Sequence, residues 1–581
     1  MISGRFEDSK SLQIRGNYKR GRYKEIELVL VGYVYNLDRL DVIEFIVESY
    51  LKQGLSFFQK LDGCFTILIY SEDETLIVRD RHGLHSQIYY TKSLFSCSLY
   101  DLLNDSGVDR NPNYQSLASF LSAGHISGSV SSIIGISKLA AGNVLKYSCK
   151  HGFDNINLFK SSEVEPKIND EKSLETYAEE FYSLHKKAIE RRIRNANRIG
   201  LFLSGGYDSG ANLLALREQY EGDIYTYSIG FKGSEISELP QARLMAETTN
   251  SIHHEYSIDG SEIKFLPTML RHFGDPFAEC GMMVNHSVFG LAGENFNGVL
   301  IGGEGNDHYF STANRQIAIS HLISKYRLKR PLSAIKRILD SDRFDKDGLL
   351  FRANFHLETS LNIIQGEMFG FPRWQVPKFL KDKSYSANSP KLDYKFSDYD
   401  DLYLQHVLLT DIEKNLNRII LFKSSKIAQM YNSHIAYPFV DLEIYNFLIN
   451  LPNKYKCKGD SIFSIARGRG TSKYLHKHIY APKMPKLIAQ KPKQGGFVPM
   501  EIFFKDAEQR RRLNEIVLDS SLFDDFLKKD EVEKFLKTFN TEINDSAKWF
   551  WYRQIKCNQM FNLVSIAIWW EEFLKNRSIS I

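Results

Sequence analysis

The sequence predicts an α/β protein with more than one domain. From Ile199 onward, short apolar runs alternate with helical patterns, which is typical of a parallel sheet with crossover helices. Residues 25–90 instead contain several short apolar or alternating runs typical of strands, with one helical pattern among them. A chain of 581 residues is also too long for one hydrophobic core, so two or three domains are expected.

Composition places the chain among ordinary globular proteins, with 43% hydrophobic and 25% charged residues. A net charge of +5 from 75 basic and 70 acidic residues gives no reason to expect a nucleic-acid partner. The six cysteines have no paired spacing, which predicts neither a zinc site nor a disulfide scaffold and fits a reducing cytoplasm. No apolar run approaches bilayer length and no apolar signal segment opens the sequence, so no membrane partner is expected. The longest apolar run, Leu563–Trp570, predicts a core helix.

The first part of the chain is predicted to be strand-rich. One helix is expected between Asp41 and Gln53, after the first strand. The predicted strands are Ile26–Val34, Phe65–Tyr70, Leu76–Val78 and Gln87–Tyr90.

The most informative stretch is the loop Ser204–Ser209, which follows a short apolar strand and precedes a helical pattern. Gly205 and Gly206 let the backbone approach an anion, and the helix N-terminus favours phosphate or pyrophosphate. Asp208 suits such a site if a divalent cation bridges it to the phosphate oxygens. A tight turn with a helix cap at Ser209 is the competing interpretation, and the complete Ser-Gly-Gly-x-Asp-Ser string favours the anion site over it.

A second apolar strand, after Gly298, ends in the glycine-rich acidic loop Gly302–Asp307. In open α/β sheets, loops at the carboxyl ends of parallel strands line the ligand crevice. The two loops are therefore expected to meet at one site.

The first loop resembles the PP-loop of ATP pyrophosphatases, which cleave ATP to AMP and pyrophosphate, and it lacks the Gly-Lys-Ser/Thr ending of Walker loops. The chain as a whole resembles asparagine synthetases. This resemblance implies an N-terminal Ntn-type α/β sandwich over residues 1–160, a linker, and a PP-loop, adenine-nucleotide α-hydrolase-like parallel-sheet domain with helical additions over 171–581. The segments that resemble the family's glutaminase domain are Gly32–Asn36, Leu61–Phe65, Arg79–Tyr90 and Gly135–Leu145.

Departures from that glutaminase domain predict that it is inactive here. The family's nucleophilic cysteine at position 2 is replaced by Ile2, and the Asn expected to help an oxyanion hole is replaced by Val31. Tyr35 also comes early, leaving little room for the strands that carry the family's glutamine-binding arginine. Asp62 persists at a glutamine-binding position, but a turn residue before Gly63 is the favoured interpretation. The first domain is therefore expected to be structural.

The resemblance also implies which residues bind ATP and Mg²⁺. Asp208 and Asp307 would hold the metal, and Glu304 and Lys493 would be the catalytic residues, with Lys493 in a segment similar to Arg-x-Lys-x-Gly-Phe-x-x-Pro. The implied ATP and pyrophosphate residues are Leu203, Ser204, Gly205, Gly206, Asp208, Ser209, Ile229 and Gly303.

The expected function is an ATP-dependent ligase that adenylates a carboxylate and transfers the acyl group to an amine. β-Lactam synthetases and lasso-peptide cyclases are similar in having a degenerate first domain. The alternative is an asparagine synthetase that amidates aspartate or a related carboxylate with ammonia, because Glu304 is the residue that asparagine synthetases have there. Expected partners are a small-molecule or peptide carboxylate and an amine or ammonia donor; a separate glutaminase or peptide-processing protein stays open.

Residues 312–395 are predicted to be helical and contain no motif that we recognise. Within them, residues 321–336 carry five basic side chains. A solvated helix face is the favoured interpretation, and a docking patch is the alternative.

Overall fold

The computed structural model describes residues 2–105, 107–160, 164, 172–234, 237–364, 369–386, 395–490 and 498–581. Most of the predicted linker, residues 160–170, lies outside these ranges. The described chain forms two stacked antiparallel sheets followed by a parallel sheet surrounded by helices.

The first part of the chain is an α/β sandwich. One sheet has the order β2-β1-β8-β7-β9 and the other β11-β10-β6-β5-β4-β3. Val29 and Val31 of β4 pack between the sheets, whereas Leu28 and Leu30 point to the other face and pack near α1. The strands are β1 Ile2–Arg5, β2 Asp8–Ile14, β3 Tyr18–Tyr23, β4 Ile26–Val34, β5 Gly63–Tyr70, β6 Thr75–Arg79, β7 Ile88–Tyr90, β8 Leu94–Ser96, β9 Ser137–Leu139, β10 Asn143–Ser148 and β11 Gly152–Asn157, with α1 at Val42–Gln53.

The residues before β4 correct one expectation. They were expected to leave little room for strands, yet they form β1, β2 and β3. Tight connections make this possible, because β1 and β2 pair Arg5 with Asp8 and only three residues separate β2 from β3. The four predicted strands and the helix α1 are confirmed.

The second sheet system is parallel and has the order β14-β13-β12-β15-β16. The central strands β12 and β15 pair Ile199 with Val299 and Leu201 with Ile301. Chain order runs outward from β12 on one side and from β15 on the other, so the topological switch point lies between these two strands. The strands are β12 Ile199–Phe202, β13 Ile224–Phe231, β14 Ile252–Ile258, β15 Val299–Ile301 and β16 Ile435–Ala436; a small hairpin pairs β17 Cys457–Lys458 with β18 Thr471–Ser472.

Helices cover both faces of the parallel sheet and form the rest of the chain. The remaining α-helices are α2 Leu99–Asp105, α3 Tyr114–Ala123, α4 Leu174–Ile193, α5 Tyr207–Arg217, α6 Leu239–Thr248, α7 Leu266–Phe273, α8 Gly281–Ala292, α9 Asn306–Phe310, α10 Asn314–Lys325, α11 Lys329–Leu339, α12 Leu349–Leu361, α13 Val376–Phe379, α14 Tyr399–His406, α15 Leu421–Met430, α16 Leu442–Asn450, α17 Asn453–Lys456, α18 Ile462–Ala466, α19 Tyr474–Tyr480, α20 Lys486–Ala489, α21 Ala507–Leu518, α22 Leu522–Asp525, α23 Lys529–Glu542 and α24 Phe550–Trp569. Two π-helical segments, Val407–Ile420 and Trp570–Leu574, continue α14 and α24. The 3₁₀ turns are Gly54–Lys60, Ser261–Phe265, Asp342–Phe344, Lys383–Ser386, Pro438–Val440, Ala481–Lys483 and Met500–Phe503.

One continuous core joins the sandwich to the parallel-sheet region. Leu117 of α3 belongs to the same buried cluster as Leu300 of β15. The Tyr89 hydroxyl, fully buried, donates to the Phe273 carbonyl at 3.0 Å across the boundary. The predicted core helix over Leu563–Trp570 is confirmed, since α24 and the following π-helical residue bury this run.

Candidate active site

The first loop leads directly into the N-terminus of α5. Gly205 has φ +80°, and a Cβ there would lie 2.6 Å from the Glu238 carbonyl oxygen, so the position requires glycine. Gly206 is the N-cap of α5 and provides no side-chain cap. The Ser204 and Ser209 hydroxyls are 3.0 Å apart, and Ser209 Oγ accepts from the Ser204 amide. Uncapped amides in the first turn, with the helix dipole, favour a phosphate here.

The second loop contacts the first. A Cβ at Gly303 would lie 3.3 Å from the Ser209 amide nitrogen, so the two backbones approach closely. Asn212 of α5 donates to the Gly302 carbonyl at 3.0 Å, and His185 contacts the same Asn212 side chain at 2.7 Å. The meeting of loops expected from the sequence is therefore present beside the switch point.

Two carboxylates meet at one buried cation in this crevice. Lys473 Nζ contacts Asp208 and lies 2.6 Å from Asp307 Oδ1. Asn306 donates to the other Asp208 oxygen at 2.6 Å. Lys473 is 5% exposed, and although burial favours its neutral form, the two carboxylates raise its pKa above the ordinary lysine value.

This carboxylate pair fits magnesium. Among the described residues, no group of three or more His, Cys, Asp or Glu side chains could hold a metal ion. Mg²⁺ in nucleotide sites uses one or two protein carboxylates and takes its other ligands from phosphate oxygens and water. Asp208 and Asp307 face one cationic group, Lys473 Nζ, so two carboxylates of the kind that such sites use lie side by side.

His476 lies beneath the carboxylate pair. It is fully buried, its Nε2 is 3.9 Å from Asp208 Oδ1, and neither ring nitrogen has a hydrogen-bond partner among the described residues. Burial lowers the pKa of His476 well below the ordinary value, and the neighbouring Lys473 lowers it further. A neutral imidazole can turn toward Asp208 without adding positive charge to the cation site.

Glu304, on the second loop, lies near the buried ion pair of Lys423 and Glu279. Burial raises its pKa, and the nearby Asp208 adds to this, whereas Lys423 opposes it. Lys423 is itself buried and forms an ion pair with Glu279 at 2.5 Å. A Cβ at Gly302 would lie 2.7 Å from Glu304 Oε2, which shows how closely this side chain folds against its own loop. A carboxyl group with a raised pKa in a partly buried crevice suits proton transfer.

The other predicted nucleotide residues lie at the carboxyl ends of adjacent strands. Leu203 is buried just after β12 and its amide donates to the Tyr227 carbonyl at 2.9 Å. Ile229 is half-buried on β13. Lys493 lies outside the described residues, in 491–497. The Tyr207 hydroxyl donates to the Ala489 carbonyl, which joins the start of α5 to α20, just before that segment.

Sequence reasoning missed Lys473 and His476. Lys473 is 265 residues from Asp208 in the chain and lies in no motif recognised from the sequence. It has φ +53°, an uncommon conformation for lysine, at the N-cap of α19. A basic residue before a short helix was the only sequence signal, and it is too common to identify a site.

Asp62 is more than a turn residue, which corrects the favoured interpretation. Its carboxylate is buried, 3.1 Å from Arg192 Nη2, and accepts from the Leu442 amide at 3.2 Å. Arg192 also binds Asp441 at 2.9 Å, so one guanidinium joins carboxylates from both parts of the chain. Burial raises the pKa of Asp62 to about 7 against the opposing effect of Arg192.

The fold and the site are those of the class of ATP-using PP-loop synthetases. The features of this class are the parallel sheet, the uncapped helix at its switch point and the two acidic side chains beside it. The profile of the family described as Asparagine synthase matches residues 180–571, and that of the Glutamine amidotransferase domain matches residues 23–155. The chain therefore belongs to the asparagine synthase family, as an ATP-dependent carbon–nitrogen ligase.

Individual relatives are distant. Asparagine synthetase [glutamine-hydrolyzing] 1 of Bacillus subtilis (strain 168) is 22% identical over 546 residues, which cover 90% of this chain and 81% of that protein. Putative asparagine synthetase [glutamine-hydrolyzing] 2 of Methanocaldococcus jannaschii is 26% identical over 54% of this chain and 61% of that protein. A structure of NMN synthetase from Francisella tularensis is 13% identical, with a TM-score of 0.18, over 48% of this chain and 94% of that one.

Proposed function

We propose that the protein adenylates a carboxylate with ATP and transfers the acyl group to an amine without hydrolysing glutamine itself. The observation that carries this proposal is the convergence of Asp208 and Asp307 beside the uncapped helix N-terminus of the PP-loop. That arrangement places negative side chains for a metal next to backbone amides for an anion, as pyrophosphate release requires.

In the first step a substrate carboxylate oxygen attacks the α-phosphorus of ATP. The bond from that phosphorus to the β-phosphate bridging oxygen breaks, giving an acyl-adenylate and pyrophosphate. Amides and hydroxyls of Ser204–Ser209 bind the leaving pyrophosphate, and Leu203, Ile229 and Gly303 border the nucleotide. Mg²⁺ held by Asp208 and Asp307 would neutralise phosphate charge.

In the second step an amine attacks the acyl carbonyl, and AMP leaves with the oxygen that joined the two groups. Glu304 orients the amine and accepts its proton, because it is a partly buried carboxyl group on the loop that borders the nucleotide. Lys493, which matches the family's catalytic lysine in the sequence resemblance, would stabilise charge on the phosphate and on the tetrahedral oxyanion.

The environments of the thiols in the first 160 residues support the absence of glutaminase activity. Burial raises the pKa of Cys64, which lies within β5. The Cys97 sulfur is buried and accepts a hydrogen bond from the Ile2 amide. Cys149 is exposed in the turn between β10 and β11. A cysteine nucleophile needs an activated thiolate in a substrate pocket, and these three settings do not provide one.

Asp62 supports the same conclusion. Its carboxylate, at the family's glutamine-binding position, is engaged by Arg192 and by the Leu442 amide. These contacts leave it little capacity to bind the ammonium group of free glutamine. The nitrogen donor is then an amine on the substrate, or ammonia from another source.

The second candidate is amidation of aspartate, or a related carboxylate, by ammonia. The Bacillus subtilis relative, which matches 90% of this chain, favours it by its name, and Glu304 is the residue that asparagine synthetases have at this position. Both candidates share the adenylation step and differ in the acceptor nitrogen.

Pyrophosphate release from purified protein with ATP and magnesium tests the proposal. Aspartate, carboxylates that carry their own amine, glutamine and ammonium are supplied in separate reactions. Turnover with an amino-carboxylate alone supports amide formation within one substrate, and ammonium-dependent turnover with aspartate supports the second candidate. Glutamine-dependent turnover would overturn the proposal that the first domain does not hydrolyse glutamine.

A further inference from the structure

The helical hairpin formed by α11 and α12 presents exposed apolar side chains. Ile338, near the end of α11, is 68% exposed, and Leu349, at the start of α12, is 84% exposed. Leu328, Ile335 and Leu350 are also exposed around them. Large apolar side chains exposed together on adjacent elements commonly mark an interaction surface.

The apolar side chains of α11 follow helical spacing. Leu328, Pro331, Ile335 and Ile338 recur at three- and four-residue intervals, so they share one face. All four are exposed, whereas Leu339 is buried against the protein. The fold therefore buries Leu339 but leaves the apolar stripe of α11 exposed to solvent.

Basic side chains flank this stripe. Residues 324–339 contain six basic residues and no acidic residue. The turn that follows contains four aspartates, and each of them lies within 4.0 Å of a cation: Asp340, Asp342, Asp345 and Asp347. Lys336 is used within the hairpin, where it pairs with Asp340 at 2.7 Å and Glu358 at 2.5 Å. The flanking cations with no carboxylate within 4.0 Å in the described part of the chain are Lys325, Arg327, Lys329, Arg330, Arg337, Arg343 and Lys346.

We propose that the α11–α12 hairpin binds an anionic lipid surface. Cations beside an exposed apolar stripe match an interface that is negative at its headgroups and apolar beneath, because long basic side chains reach the headgroups while Ile and Leu insert. Ile338 and Leu349 are more than two-thirds exposed, so both side chains are available to insert into the apolar layer beneath the headgroups.

This contact is peripheral. No helix in the described residues is long and apolar enough to cross a bilayer. The proposal replaces the solvated-face interpretation of residues 321–336 and departs from the expectation of no membrane partner. It does not depend on the reaction, since the hairpin contains none of the proposed site residues.

Sedimentation of the full chain with vesicles tests the proposal. Vesicles of phosphatidylglycerol mixed with phosphatidylcholine are compared with vesicles of phosphatidylcholine alone. We expect binding to the anionic vesicles, weakened by salt, and a loss of about tenfold or more in Ile338→Asn/Leu349→Asn and in Arg330→Gln/Arg337→Gln.

Matched controls keep this result interpretable. Arg511→Gln/Arg512→Gln removes two exposed cations from α21, and Leu40→Asn/Leu51→Asn removes two exposed leucines from the first part of the chain. Each control should bind like the parent, and all variants should keep the parent thermal midpoint. Equal losses of vesicle binding in the controls would overturn the proposal, and so would no sedimentation with anionic vesicles. Polyglutamate serves as an acidic polypeptide probe. A chain that binds polyglutamate but not anionic vesicles also contradicts the proposal.

Discussion

Lys473 Nζ lies 2.6 Å from Asp307 Oδ1 while it also contacts Asp208, so one ammonium group neutralises both carboxylates proposed to bind magnesium. Removal of this ammonium leaves two neighbouring, partly exposed carboxylates without their cation. Metal binding and lysine pairing are therefore expected to compete for the same oxygen atoms.

The variant Lys473→Met tests this competition. Without divalent cations, its unfolding midpoint should fall because two carboxylates repel each other, and magnesium should restore more of the midpoint than it does in the parent. Thermal denaturation with and without magnesium measures both effects. Lys458→Met, which removes an exposed lysine bonded only to Tyr474 in its described contacts, is the control. Identical magnesium dependence in Lys473→Met and the parent would contradict the shared site.

Asp208→Asn and Asp307→Asn should each lower pyrophosphate release by about a hundredfold or more, because an amide cannot replace a carboxylate charge at the metal. The fold should persist, since both substitutions keep side-chain volume. Rates are measured at saturating magnesium, with circular dichroism as a check on folding. Asp223→Asn, an exposed position before β13, should keep the parent rate. Full activity in either site variant would remove that residue from the proposed metal site.

Glu304→Gln should separate the two chemical steps. ATP–pyrophosphate exchange, which reports adenylation, should persist, while amide formation should fall by about a hundredfold or more, in the range of a lost general base. The carboxylate form accepts the proton, so the parent's amide-forming rate should rise with pH through a pKa above the ordinary glutamate value. That rise should be absent in Glu304→Gln. Equal losses in exchange and amide formation would show that Glu304 serves adenylation instead.

Arg192→Met should destabilise the protein by about 3–5 kcal/mol, because it leaves Asp62 and Asp441 buried without their shared cation. The free energy of unfolding from denaturant titration measures the loss. Arg194→Met breaks the more exposed pair with Asp38 and should cost less than about 1 kcal/mol. Similar costs for the two variants would show that the buried network contributes no more than a surface pair.

More of the fold than of the candidate site could be predicted from the sequence. A short, mostly apolar run predicted β4 to the residue, and the strand before Ser204 was visible because a short apolar run ended in a glycine turn. The strands before β4 were missed because their polar residues, such as those of Tyr18–Tyr23, alternate weakly. Lys473 could not be predicted, because only the packing of α19 brings it to Asp208 across 265 residues.

The ion pair of Asp62 could not be predicted from the sequence either. An Asp before a Gly is common in turns, and nothing near Asp62 in the sequence indicates that it pairs with Arg192, 130 residues later in the chain. Long-range ion pairs depend on tertiary packing, whereas local turns and strands depend on neighbouring residues. Local patterns therefore identified the two loops of the site, and packing supplied the cation between them.

Transfer of an oxygen atom from the substrate carboxylate to AMP is the most direct sign of adenylation. A substrate carboxylate labelled with ¹⁸O, identified from the pyrophosphate screen, is incubated with ATP, magnesium and the protein, and the AMP is analysed by mass spectrometry. One ¹⁸O atom should appear in AMP, with no label in pyrophosphate, and Asp208→Asn should form little labelled AMP. Unlabelled AMP, or label in inorganic phosphate alongside ADP, would contradict adenylation.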